Sequence, residues 1–165
     1  MKQKDFRTDV LPLKDKFYRL ALRITMNTAD AEDIVQETLI RIWKKQDRWD
    51  EIESLEAWGM TISRNLALDY VRKMENHRTV PLEVDIPYNE YDKLQESERL
   101  QMVKNLMNQL PEKQRTAMQL RDFEEKSYKE IADIMEISEE QVKVSIFRAR
   151  QFIKTKINTT YNNGL

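Results

Sequence analysis

Ser127 stands three residues before Glu130, and Ser138 stands three before Gln141. Each pair fits a capping box, in which a hydroxyl accepts from the backbone at a helix start while the acidic or amide side chain reaches back. Two helix starts eleven residues apart leave the first helix about two turns, with Met135 to Ile137 as the corner. Few folds tolerate so short a helix pair. The spacing predicts a helix-turn-helix, whose second helix can enter a DNA major groove.

Helical angles then sort the second helix by face. Val142, Ile146, Ala149 and Ile153 form one stripe, which with Ile131, Ala132 and Ile137 makes a small core. Glu140, Lys143, Val144, Phe147 and Gln151 fall on the opposite side. A phenylalanine and a valine among charges suit contact with thymine methyls and sugar edges; packing against a neighbouring helix is the alternative. Arg148 and Arg150 flank this face, where they would hold phosphate, a contact that positions without specifying. From Lys143 to Lys156 there are five cations and no acid.

The chain as a whole offers no such positive surplus. Net charge is 0 over residues 1–75, −2 over 76–109 and +1 over 110–165. A protein that grips DNA unaided normally shows a basic face, because phosphate neutralisation supplies most non-specific affinity. Any DNA reading here therefore calls for help from a partner.

With only two Gly and four Pro in 165 residues, an all-α fold is expected, arranged as two small helical domains joined by an extended linker. The first half reads as three helices. "DFRTDVLPLKDKFYRLALRITM" is helical with a break at Pro12. A second helix runs from about Ala29 to Gln46, capped by Thr28, with acids in its first turn and Lys44 and Lys45 in its last. A third follows Ser54, and Gly59 inside it signals close packing or mere tolerance. "NHRTVPLEVDIPYNEY" breaks the helical pattern and could span roughly 50 Å. Beyond it comes another helical stretch, and Pro111 suits the first position of the next helix. The expected domains are 1–75 and 96–165, with a linker over 76–95.

Several chemistries drop out. Without Cys there is no disulfide, thiolate metal site or Cys nucleophile, and the lone His77 reads as a solvated loop residue without a second metal ligand. There is no glycine-rich phosphate loop, and the carboxylates fall at helix ends or on solvated faces. No catalytic residues, metal site or cofactor are expected. No apolar run approaches the ~20 residues of a membrane span, and the first ten residues lack a signal-peptide core. The expected setting is the cytoplasm, without membrane insertion.

"DAEDIVQETLIRIWKK" followed by "SLEAWGMTISRNLALDYVRK" closely resembles region 2 of bacterial sigma factors of the extracytoplasmic-function group, within the sigma-70 family. "LPEKQRTAMQLRDFEEKSYKEIADIMEISEEQVKVSIFRAR" is similar to region 4 of the same group. The resemblance implies a transcription initiation factor that binds core RNA polymerase and directs it to minus-10 and minus-35 promoter elements. It places Asp33, Gln36, Glu37, Leu39 and Trp43 on a coiled coil of the polymerase β′ subunit, although Leu39 and Trp43 also fit a core position. The second domain would sit on the β flap.

Asn65 matches the position nearest a flipped minus-10 base, and the loop from Arg48 to Ser54 matches a base-capturing loop in which Trp49 could stack. Arg64, Arg72 and Lys73 are implied phosphate contacts; Trp58, also matched, reads as core. Lys143, Val144, Phe147 and Arg148 match minus-35 recognition positions, and so overlap the outward face found from periodicity alone. Two departures stand out. Glu136 occupies a corner where the family often has glycine, and Val144-Ser145 replaces a small-polar then basic pair. The family also implies an anti-sigma partner covering these surfaces, and no small-molecule substrate. The rival reading is a conventional helix-turn-helix regulator with a helical sensing or dimerisation domain.

Overall fold

In α1 (Lys14–Thr25), Phe17, Leu20, Ala21 and Ile24 recur at helical spacing, and all four are buried. In α2 (Thr28–Lys44) the buried stripe is Ala31, Ile34, Val35, Thr38 and Ile42. With α3 (Leu55–His77) these two helices pack as a three-helix unit. Each fully buried large apolar side chain contributes roughly 1.5–3 kcal/mol relative to exposure, before ordering costs are counted. The computed structural model describes residues 3–77 and 97–163, with side chains over 3–75 and 97–160. The linker expected over 76–95 therefore lies almost wholly outside the described residues. Its first two positions close α3, which runs on through His77 where a loop was expected.

Local chemistry sets the helix ends in this unit. A π-helical turn (Phe6–Val10) and a 3-10 turn (Leu11–Leu13) precede α1, so the chain is interrupted around Pro12 as expected. Asn27, not Thr28, caps α2: its side-chain oxygen accepts from the Asp30 N–H at 3.0 Å. Thr28 is already the first helical residue, because Met26 takes up the turn in the left-handed conformation (φ 55°). Ser54 caps α3 through the Ala57 N–H at 3.1 Å. Gly59 is explained by close packing. A Cβ there would lie 2.6 Å from Phe17 Cε1, closer still to Cζ, and 3.1 Å from Ile42 Cδ1. Polar struts join the helices: the Ser63 hydroxyl donates to Phe17 O, the Tyr70 hydroxyl to Asp30 Oδ1 at 2.7 Å, and Lys16 pairs with Glu56.

The second unit contains α4 (Glu98–Met107), α5 (Glu112–Met118), a π-helical turn (Gln119–Phe123), α6 (Tyr128–Met135) and α7 (Glu139–Asn163). Met107, Leu110, Met118, Ala149, Ile153 and Ile157 form one buried cluster, flanked by Leu106, Phe123 and Phe152. Pro111 sits one position earlier than expected, as the N-cap of α5 with an extended ψ of 149°. Arg115 is buried and donates to Asn108 O and Leu110 O, covering carbonyls left open where α4 ends. Burial lowers its pKa, and Glu112 partly offsets that.

Candidate nucleic-acid and protein-binding surfaces

The helix-turn-helix is built by its caps. Ser127 Oγ accepts from the Glu130 N–H at 3.1 Å and donates to Glu130 Oε1, so the glutamate closes on the hydroxyl rather than on the backbone. The second box is fully reciprocal: Gln141 N–H to Ser138 Oγ, and Ser138 N–H to Gln141 Oε1, both at 3.1 Å. Between them Glu136 adopts φ 57°, ψ 43°, with the Ile137 N–H donating to Ala132 O. Here a glutamate holds a left-handed corner that glycine would hold without steric cost.

On α7, Val142, Ile146, Ala149 and Ile153 are buried, together with Ile131 and Ala132 of α6, while Ile137 is half-buried. The opposite face is open. Phe147 is 62% exposed and Val144 44%, with Lys143 and Arg148 exposed beside them. An open groove at the start of α7 is lined by Lys113, Ile137, Ser138, Gln141, Val144 and Arg148. Arg150 behaves differently. Its guanidinium makes a two-pronged ion pair with Asp122, from Nε at 3.2 Å and from Nη2. Those hydrogen bonds raise its pKa, burial opposing. Arg150 thus ties α7 to the π-helical turn, and its charge is largely committed within the protein.

Two residues of this face had escaped the sequence reading. The Tyr128 ring carries Arg121 at 4.4 Å and Lys143 at 5.5 Å from its centroid. These cation–π contacts hold two positive groups together at the mouth of the helix pair. The local signal was limited to the tyrosine directly after the capping serine, since its two cations come from the π-helical turn and from α7.

In the first unit, the outward face of α2 presents Asp33, Gln36, Glu37 and Trp43, all exposed, with Leu39 half-buried at its edge. Glu37 pairs with Arg41 at 3.1 Å. Trp43 is 51% exposed, and Phe6 meets it edge-on at 5.2 Å. Ile40, 46% exposed, belongs to this face and was missed. It lies four residues after Gln36 and three before Trp43, a spacing legible once the buried stripe is known. Two exposed apolar side chains beside acceptors make a surface suited to a protein partner.

The α3 assignments divide. Asn65, Arg72 and Lys73 are exposed and share one outward face, with Asp69 between them 3.7 Å from Arg72. Arg64 is instead buried, on the same side of α3 as Met60, Ser63 and Ala67. Trp49, expected to stack on a base, is a second correction. It is only 2% exposed, its indole N–H donates to Ile42 O at 2.8 Å, and Phe6 stacks on it at 6.4 Å. It closes the base of the helix unit and offers no face to a base. Trp58, read as core, is half-buried. Among the described residues no group of His, Asp or Glu could hold a metal ion, and no helix is long and apolar enough to cross a membrane.

Comparison with known proteins bears on both units. A family model described as Sigma-70 region 2 matches residues 10–77, and one described as Sigma-70, region 4 matches residues 100–153. The chain is 32% identical over 151 residues to the ECF RNA polymerase sigma factor SigM of Bacillus subtilis, covering 88% of this chain and 91% of that protein. It is 29% identical to SigW of the same organism, over 87% of this chain and 84% of the relative. Among solved structures it resembles the sigma factor RpoE of Bartonella quintana, crystallised with the anti-sigma factor NepR. The TM-score is 0.79 at 29% identity, over 94% of this chain and 98% of that one.

Proposed function

This chain belongs to the extracytoplasmic-function RNA polymerase sigma factors of the sigma-70 family, and from that premise we propose how its surfaces divide the work of initiation. It is a transcription initiation factor that binds core RNA polymerase and directs it to promoters through minus-10 and minus-35 elements. Residues 1–75 hold polymerase and the melted minus-10 strand, residues 96–165 hold minus-35 duplex, and residues 76–95 thread between them. The protein recruits and positions, leaving the chemistry to polymerase.

The observation that carries this division is Phe147, an aromatic ring exposed between Lys143 and Arg148 on a helix whose other stripe is wholly buried. Lys143, Val144 and Phe147 read the minus-35 groove; Arg148 holds phosphate, with Tyr128 aligning Lys143. Arg150 acts as a brace through Asp122. On α2, Trp43 and Ile40 anchor to polymerase, with Asp33, Gln36 and Glu37 offering acceptors to a basic partner. On α3, Asn65 meets the unpaired base, and Arg72 and Lys73 track the strand.

Near-zero net charge fits this scheme. Polymerase supplies most of the grip on DNA, and two weak modules on one chain gain by effective concentration. The same exposed apolar residues suit capture by an anti-sigma partner of the kind seen with RpoE. Two substitutions test the division. Asn65→Ala is expected to impair open-complex formation more than polymerase binding, and Glu37→Lys to do the reverse. Equal loss of both activities in Asn65→Ala would make that residue merely structural. Unchanged affinity in Glu37→Lys would remove it from the interface.

A further inference from the structure

The residues ahead of α1 reach across the first unit to the turn that follows α2. Lys4 Nζ donates to two main-chain carbonyls of that segment, Trp49 O at 2.9 Å and Ile52 O at 2.7 Å. Phe6, two residues on, lies between the two tryptophans, edge-on to Trp43 and stacked on Trp49. The Trp49 indole N–H is in turn held by Ile42 O, in the last turn of α2. The 3-10 turn Gln46–Glu51 is therefore fastened through its backbone, its one buried ring and the helix before it. Its remaining side chains, Gln46, Asp47, Arg48, Asp50 and Glu51, all face outward.

We propose that Lys4 and Phe6 form a strap that positions the Arg48–Ser54 loop for capture of the unpaired minus-10 base. The inference rests on the reading of that loop as the base-capturing element. Beyond the single buried ring of Trp49 and the half-buried Ile52, the loop has little apolar burial to define its shape. Its backbone would otherwise sample many conformations, and the ordering would fall on the moment of DNA opening. An ammonium group bridging two carbonyls removes much of that freedom beforehand, since charge-assisted hydrogen bonds in a part-buried setting are among the stronger ones. Because Phe6 also touches Trp43, the strap links the face proposed for polymerase to the loop proposed for DNA. Lys4 and Phe6 are positioning residues; neither is assigned a contact with the base.

The test uses the full chain with core polymerase and a promoter carrying a fluorescent base analogue in the non-template minus-10 strand. Lys4→Ala is expected to slow opening about tenfold while polymerase affinity stays within about twofold, and Lys4→Arg to restore most of the rate. Phe6→Ala should slow opening too, with Phe6→Leu intermediate. In the free protein, proton exchange at the Trp49 indole N–H, followed by NMR, should speed up in Lys4→Ala and recover in Lys4→Arg. If Asn65→Ala slows opening and Lys4→Ala does not, the strap is refuted and the minus-10 reading survives. If both variants open promoters normally, that reading itself fails, and the inference falls with it. Loss of opening and of polymerase affinity in equal measure in Lys4→Ala would show a merely structural tie.

Discussion

Gly59→Ala sets two effects of opposite sign against each other in α3. Helix propensity favours alanine by about 1 kcal/mol at an interior helical position. Packing opposes it. The added Cβ would stand 2.6 Å from Phe17 Cε1, whereas carbon atoms rest at roughly 3.5–4 Å. Relief needs a ring displacement on the order of 1 Å. Phe17 is fully buried, and Ile42 Cδ1 lies 3.1 Å from the same Cβ, so the ring cannot swing freely. Overpacking a tight core costs about 1–3 kcal/mol, and this site belongs at the upper end. The expected net loss is about 2 kcal/mol, or a midpoint lower by roughly 10 °C for a unit of this size.

Tryptophan fluorescence of the full chain isolates this unit, because Trp43, Trp49 and Trp58 all lie within it. Combining Gly59→Ala with Phe17→Leu should recover part of the loss, since the two sites share one contact. A midpoint equal to or above that of the parent chain would refute the packing argument. The ring would then have room to yield, and propensity would decide.

Glu136→Gly should raise the stability of the second unit by about 1 kcal/mol, the left-handed strain relieved less the added chain entropy, read by circular dichroism. Trp43→Ala should weaken polymerase binding by about 2 kcal/mol, roughly thirtyfold, in a competition assay, with a smaller thermal effect because half the ring is already exposed. Phe147→Ala should leave folding within about 0.5 kcal/mol and lower minus-35-dependent promoter affinity by about tenfold, the loss of one apolar contact.

What could be read from the sequence was what local chemistry decides. The serine caps at Ser127 and Ser138, the second a full capping box, the break at Pro12 and the stripe Val142–Ile146–Ala149–Ile153 each depend on neighbours within a few residues. Asn27 was missed by a single position, because the cap belongs to whichever residue leaves the left-handed turn at Met26 first. Trp49 was beyond local reading. Its burial depends on Phe6, 43 positions earlier, and on the Ile42 carbonyl of the preceding helix. Arg64 was read as an exposed phosphate contact, whereas it is buried on the side of α3 that carries Met60 and Ala67. The tie of Arg150 to Asp122 joins elements 28 residues apart, and no pattern within α7 announces it.

Promoter-directed initiation tests the central claim most directly. The purified chain is mixed with core RNA polymerase and a promoter library, and transcription start sites are mapped. The account predicts start sites that share a minus-35 and a minus-10 element at constant spacing, lost when Phe147→Ala and Asn65→Ala are combined. Polymerase that gains no promoter preference, while the chain alone footprints duplex DNA tightly, would contradict it and favour a conventional helix-turn-helix regulator.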